Sequence, residues 1–284
     1  GFATIGDVFS ERLNPERKKP FDMRQLMRAV VDDDAGYLER WSIMKDAETA
    51  ITWETRVGGH GVGLVGIESR PLARLGDIPH DGPETWSGGT LFPESSKKVA
   101  RAINAWSDRV PVVVLANLSG FDGSPESLRR LQLEYGAEIG RAVVNFRGPL
   151  VFVVVARYHG GAYVVFSKTL NPSLTAFALE GSFASVLGGA PAAAVVFPRQ
   201  VTREAQEDPR YAEAVSRLEN DPSFTQREFD EVYRAIHAEK QTALAQRFDN
   251  IHNIERAKQV GSIDEIIGVA ELRPRIIATI GHGS

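Results

Sequence analysis

The chain has 284 residues, of which 43% are apolar and 25% charged, enough apolar material for one large core or two modest ones rather than a disordered chain. A net charge of -4 and a pI near 5.9 give no electrostatic footprint for nucleic acid or anionic lipid, both of which favour basic surfaces. The sequence holds no cysteine, which excludes disulfides, thiolate metal sites and a Cys nucleophile.

Residues 1–20 carry Pro15, Pro20 and the charged run Glu16 to Lys19 and read as a solvated connector. No basic start followed by an apolar block is present there, so no secretory signal is visible and a cytoplasmic enzyme is expected. From Asp22, a plausible N-cap, Met23, Leu26, Met27 and Val30 fall on one helical face. "ITWETRVGGHGVGLVGIESR" follows as a hairpin turning at Gly58-Gly59. "PESSKKVARAINAW" is a helix opened by Pro93, with Val99, Ala102, Ile103 and Trp106 as its apolar stripe.

"VPVVVLANLSG" is a continuous β-branched run, the pattern of a strand covered on both faces. A helix over "SPESLRRLQLEYGAEIGRAVVNFR" and a second buried strand, "GPLVFVVVA", come next. The order of helix, covered strand and glycine turn predicts α/β layers with largely parallel strands, whose ligands collect beyond the strand carboxyl ends. Leu150 to Ala156 and Ala192 to Phe197, the longest apolar runs, are far short of the roughly 20 residues of a membrane helix and read as buried strands. Thr202 to Gln259 is a helical excursion rich in charge and Ala, broken by "NDPS", and "IDEIIGVAELRPRIIATI" closes the chain with helical spacing.

Two buried strands each end in a glycine-bearing turn, "VVVLANLSGFDG" and "FVVVARYHGGAY". If the strands are neighbours, Gly120-Phe121 and Gly160-Gly161-Ala162 meet at one edge and can aim amide N–H groups at a shared point, where a developing oxyanion is stabilised. Glycine serves such a site because a Cβ would hold a ligand oxygen away from the backbone. Tight turns packed under neighbouring elements are the bland alternative.

At "GGTLFPESSKKVARAI", "VVVLANLSGFDGS" and "VVVARYHGGAYVVFSKTLNP" the sequence resembles the carboxyltransferase of biotin-dependent acyl-CoA carboxylases, in particular its C-terminal half. The likeness extends from about Phe21 to Ile277 and is closest in layout to the large single-chain acetyl-CoA carboxylases. It implies an α/β crotonase-like ββα spiral: a connector over 1–20, the core over 21–200, and a helical insertion with closing helices of the same domain over 201–284. It also implies that carboxybiotin, carried on a separate carrier domain, supplies the carboxyl group and then the base, while backbone amides hold the ureido oxygen; the substrate is a coenzyme A thioester. The implied partners are the N-terminal carboxyltransferase half, the biotin carboxyl carrier domain, biotin carboxylase and further copies of the chain, with no nucleic acid and no membrane.

By alignment, Gly161 and Ala162 resemble the main-chain donors, Gly120 and Phe121 the opposite wall, and Gly160, His159, Tyr163, Val164 and Ser119 the substrate end. The large acetyl-CoA carboxylases have Arg where this chain has His159 and Trp-Arg where it has Leu118-Ser119. Many propionyl-type enzymes have an acidic residue where Val164 stands. No second crotonase-like unit is visible, so the chain holds one side of an active site.

Other constellations are weaker. His159 and Ser167 lie close enough in sequence to suggest a base and nucleophile, but a triad also needs an orienting carboxylate. Asp32 to Asp34 reads as a helix end in solvent, and His237 and His252 are too far apart for a helical metal pair, so no metal is expected. Two rivals remain: a free-standing crotonase-type hydratase or hydrolase acting on a thioester, and a non-catalytic assembly domain.

Overall fold

A computed structural model describes residues 2–80 and 82–281. The β-branched runs form one eight-stranded sheet: β1 (Tyr37–Glu39), β2 (Ala50–Val57), β3 (His60–Ile67), β4 (Val112–Leu118), β5 (Leu150–His159), β6 (Leu174–Leu179), β7 (Phe183–Ser185) and β8 (Glu265–Ile267). The spatial order is β1-β2-β3-β4-β5-β6-β8, with β7 beside the end of β5. β1, β2 and β3 are antiparallel neighbours, and every pairing from β3 onward is parallel. At the hairpin, Gly58 and Gly59 both have positive φ, +60° and +81°, as the two-residue turn requires. The Asp32 carboxylate accepts both of their amides, at 2.7 and 2.8 Å, so Asp32 holds this turn instead of ending a helix in solvent.

Both faces of the sheet are covered, as the apolar runs predict. Along β4, Val112, Val114, Ala116 and Leu118 join one core, while Val113 and Leu115 join the other. The first core is roofed by α2 (Pro93–Trp106) and α3 (Gln132–Asn145), the second by α1 (Met23–Val30). The small residues of β3 set how closely these helices approach. A Cβ on Gly63 would lie 2.2 Å from the Trp106 ring, and one on Gly66 would lie 2.5 Å from the Met27 sulfur.

Three expectations are corrected. Residues before Phe21 are not simply solvated, since Val8, Phe9, Asn14 and Arg17 are buried and Phe9 packs edge-on against Phe21. Of the run Ala192 to Phe197, Ala192–Val196 is helical, with Val195 76% exposed, because three alanines favour helix, and Phe197 caps the next helix, which Pro198 opens. Within the closing segment, Glu265–Ile267 extends the sheet beside β6, and a 3-10 turn at Val269–Glu271 leads into the helix Leu272–Gly281.

The chain divides into two compact units. Residues 1–186 with 253–284 form the sheet unit, and Leu187–His252 forms a helical unit. In the helical unit, Pro198–Gln206, Pro209–Asn220 and the 26-residue helix Gln226–Ile251 enclose a small core of Ala193, Val201 and Leu244. Asp208 caps the second of these helices, and hydrogen bonds from Arg210 and Lys240 hold its carboxyl well below the usual range.

Candidate active site at two glycine turns

Strand β5 changes neighbours along its length: Leu150 to Val154 pair with β6, and Arg157 to His159 pair with β7. Its register with β4 also slips, so that Leu118 lies opposite Tyr158. Past that pair the two strands end together, and the two turns meet through bare backbone. Gly120 has φ +141° and Gly160 φ +70°. A Cβ on Gly160 would stand 3.2 Å from the Gly120 Cα and 3.5 Å from the Ser119 carbonyl oxygen. Gly160→Ala is therefore expected to cost about 1–2 kcal/mol, read as a lower thermal midpoint, from the left-handed conformation and the squeezed contact together.

The amides of the second turn have different fates. Gly160 N–H donates to the Val186 carbonyl at 2.9 Å, fixing the turn, and Tyr163 and Val164 N–H donate back to Gly160 and Gly161. Gly161 and Ala162 N–H open the one-turn helix α4 (Ala162–Val165) and have no hydrogen-bond acceptor among the described residues. So short a helix adds little dipole, and the two N–H groups themselves carry the positive potential. The Tyr158 hydroxyl donates to the Ala162 carbonyl at 2.8 Å, and burial raises its pKa well above the ordinary value, so it remains a donor that ties α4 to β5.

The first turn contributes mainly a wall. Gly120–Phe121 pairs in parallel with Thr90–Leu91, and the flanking Ser119 and Asp122 amides donate to Gly89 and Leu91. The Phe121 ring lies against both Gly161 and Gly136, where added Cβ atoms would fall 3.1 and 2.9 Å from it. From there an apolar groove of about 510 Å³ runs between α3 and α4, lined by Leu133, Gly136, Val144, Val164 and Val165. Val164 is exposed, and so is Ser119.

His159 is buried, with Nδ1 3.1 Å from Ser185 Oγ, its register partner across β5 and β7. Ser167 makes no such pair; its Oγ accepts the Thr169 amide. Tyr163 donates to Ser262 Oγ at 2.6 Å and packs 5.2 Å from the Tyr158 ring. The sequence reading missed Ser185, which only the parallel register of β7 reveals. It also missed the groove face of α3, for which Gly136 and Gly140 four residues apart were the available signal.

The family described as Carboxyl transferase domain matches residues 6–281. The chain belongs to this family. Among the relatives of this carboxyl transferase domain, an acetyl-CoA carboxylase of Cryptosporiopsis sp. is 28% identical over 248 residues, covering 80% of the chain and 11% of the relative. The acetyl-CoA carboxylase of Saccharomyces cerevisiae is 29% identical over 189 residues, covering 61% of the chain and 8% of the relative. A crystal structure of transcarboxylase 12S, a hexamer with hydrolyzed methylmalonyl-coenzyme A bound, superposes with TM-score 0.66 at 21% identity, over 93% of this chain and 42% of that one. The likeness supports the crotonase-like α/β fold. The carboxyl transferase domain thus spans about a tenth of the length of these carboxylases and under half of the transcarboxylase chain.

Proposed function

We propose that the chain is the biotin-receiving half of a carboxyltransferase that moves a carboxyl group from carboxybiotin to the α-carbon of an acyl-CoA. The observation that carries this reading is the pair of unclaimed amides, Gly161 and Ala162 N–H, where two glycine turns touch in a chain of this family. A ureido oxygen is a compact acceptor, and the side-chain-free backbone of Gly160 and Gly161 leaves room for it, so the residues present fit biotin. When bound, biotin supplies the transferable carboxyl group and the base for the acyl α-carbon.

The chain's own residues supply placement and electrostatics. Two N–H groups aimed at one oxygen stabilise charge there, and removing one such donor typically lowers the rate about 10²- to 10³-fold. Gly120 and Phe121 form the facing wall, Tyr158 holds the turn, and His159, Tyr163, Val164 and Ser119 border the acyl end. In this reading the N-terminal half brings the coenzyme A thioester, the biotin carboxyl carrier domain delivers carboxybiotin made by biotin carboxylase, and the assembly is a cytoplasmic oligomer. No helix among the described residues is long and apolar enough to cross a membrane.

The test is to combine the chain with its complementary half, free biotin and malonyl-CoA. Biotin-dependent decarboxylation is expected, and its absence overturns the reading. The buried His159–Ser185 contact favours one second reading, a thioester hydrolase. Biotin-independent thioester cleavage that Ser185→Ala abolishes would establish that reading instead.

A further inference from the structure

We propose that a cavity bounded by α1, β1 and the N-terminal half of α2 binds a small oxyanion, a carboxylate or phosphate group, on the Lys98 ammonium. The cavity measures about 250 Å³, and its charged lining is Arg24, Glu39, Glu48, Glu68, Arg70 and Lys98. It shares no lining residue with the glycine-turn groove.

The identity of the ligand follows from which polar groups are already used. Glu39 takes Arg24 at both oxygens, at 2.5 and 2.7 Å, and also receives the Trp53 indole N–H. Glu48 accepts the Asp46 and Leu75 amides on one oxygen and the Trp86 indole N–H on the other. Glu68 accepts the Met23, Ser69 and Arg70 amides on Oε1 and the Arg70 guanidinium on Oε2. Every carboxylate oxygen lining the cavity therefore has a donor.

The donors are not all used. Lys98 is 2% exposed, yet its Nζ has no hydrogen-bond acceptor and no ion-pair partner among the described residues. Arg70, at the rim, leaves Nη1 and Nε unengaged. The side chain is buried while its Nζ keeps contact with the open cavity, and burial lowers the Lys98 pKa to about 8 against the weaker pull of Glu39 and Glu48. What the cavity lacks is an acceptor. A small anion that enters through the open rim supplies one to the ammonium, in a cavity whose six lining charges sum to zero before it binds. A ligand cation would meet carboxylates that protein donors already engage.

Two measurements on the full chain test this. The first is thermal unfolding in inorganic phosphate, in sodium acetate and in sodium chloride at matched ionic strength, for the wild type and Lys98→Met. The second is labelling of Lys98 by acetic anhydride across a pH series, read by peptide mass spectrometry on the wild type alone. Phosphate or acetate is expected to raise the midpoint temperature beyond chloride in the wild type and not in Lys98→Met. At about ten times the dissociation constant the same anion should move the Lys98 labelling midpoint up by about one pH unit, because it binds only the protonated form. A response to phosphate alone assigns a phosphate group, and a response to acetate alone assigns a carboxylate. If neither anion outperforms chloride, if Lys98→Met responds as the wild type does, or if the labelling midpoint stays put, the site does not exist.

Discussion

Gly161→Val is expected to lower biotin-dependent carboxyl transfer by about 10²- to 10³-fold in the complete carboxylase while leaving the fold nearly intact. Gly161 has φ -58° and lies in the ordinary right-handed helical region, so the backbone does not need glycine for its conformation. The residue is exposed, and the first atom an added Cβ meets is the half-buried Phe121 ring at 3.1 Å, which can yield a few tenths of an ångström. A branched side chain there crowds the only two unclaimed amides of the turn without breaking a native hydrogen bond. The structural loss should stay near 1 kcal/mol, by the measure of modest overpacking. Steady-state kinetics beside a thermal melt separates the two effects. A variant that unfolds but retains turnover per folded molecule would make Gly161 a packing glycine.

Arg74→Met is expected to destabilise the sheet unit by about 3–5 kcal/mol, the range for removing one partner of a buried ion pair. The Arg74 side chain is fully buried, with Nη1 and Nη2 3.0 and 2.9 Å from the two Glu126 oxygens and Nε 3.3 Å from Asp46. It also donates to the Asp77 and Pro83 carbonyls and stacks 4.0 Å from the Trp86 ring. Glu126 belongs to the short helix that follows the Gly120–Phe121 turn, so this one guanidinium ties the Asp77 and Pro83 backbone to the segment behind the proposed wall. Without it, Glu126 and Asp46 keep only Arg130 as a cationic partner among the described residues. Urea unfolding reads the loss as a lower midpoint. Arg74→Lys should recover only part of it, because an ammonium cannot reproduce the two parallel bonds to Glu126.

Much of the sheet unit was legible because its signals are local and strong. The β-branched runs became β4 and β5, the Gly58-Gly59 pair became the hairpin turn, and the stripe of Val99, Ala102, Ile103 and Trp106 became the buried face of α2. The meeting of Gly120 with Gly160 followed from making those strands neighbours. Less local features were opaque. Ala192 to Phe197 reads as strand by hydropathy, yet a strand needs sheet neighbours, and the Ala-rich run takes the helix. Ser185 reaches His159 because β5 exchanges β6 for β7 as its neighbour toward its end. Lys98 lies four residues before Ala102 and therefore on the apolar side, and it is buried there. Spacing places a residue on a face, but it does not say which charge that face will exclude from water.

The solitary ammonium of Lys98 also bears on how the protein tolerates alkali. Its folded pKa, near 8, lies below the ordinary lysine value of 10.5, so the unfolded chain holds this proton more tightly than the native one. Below pH 8 both states are charged and the native state carries the full penalty. Between pH 8 and 10.5 the native state sheds the proton first, and this residue's contribution to stability rises by roughly 3 kcal/mol. Mild base, which ordinarily loosens a protein by stripping paired cations, should firm up this corner of the fold.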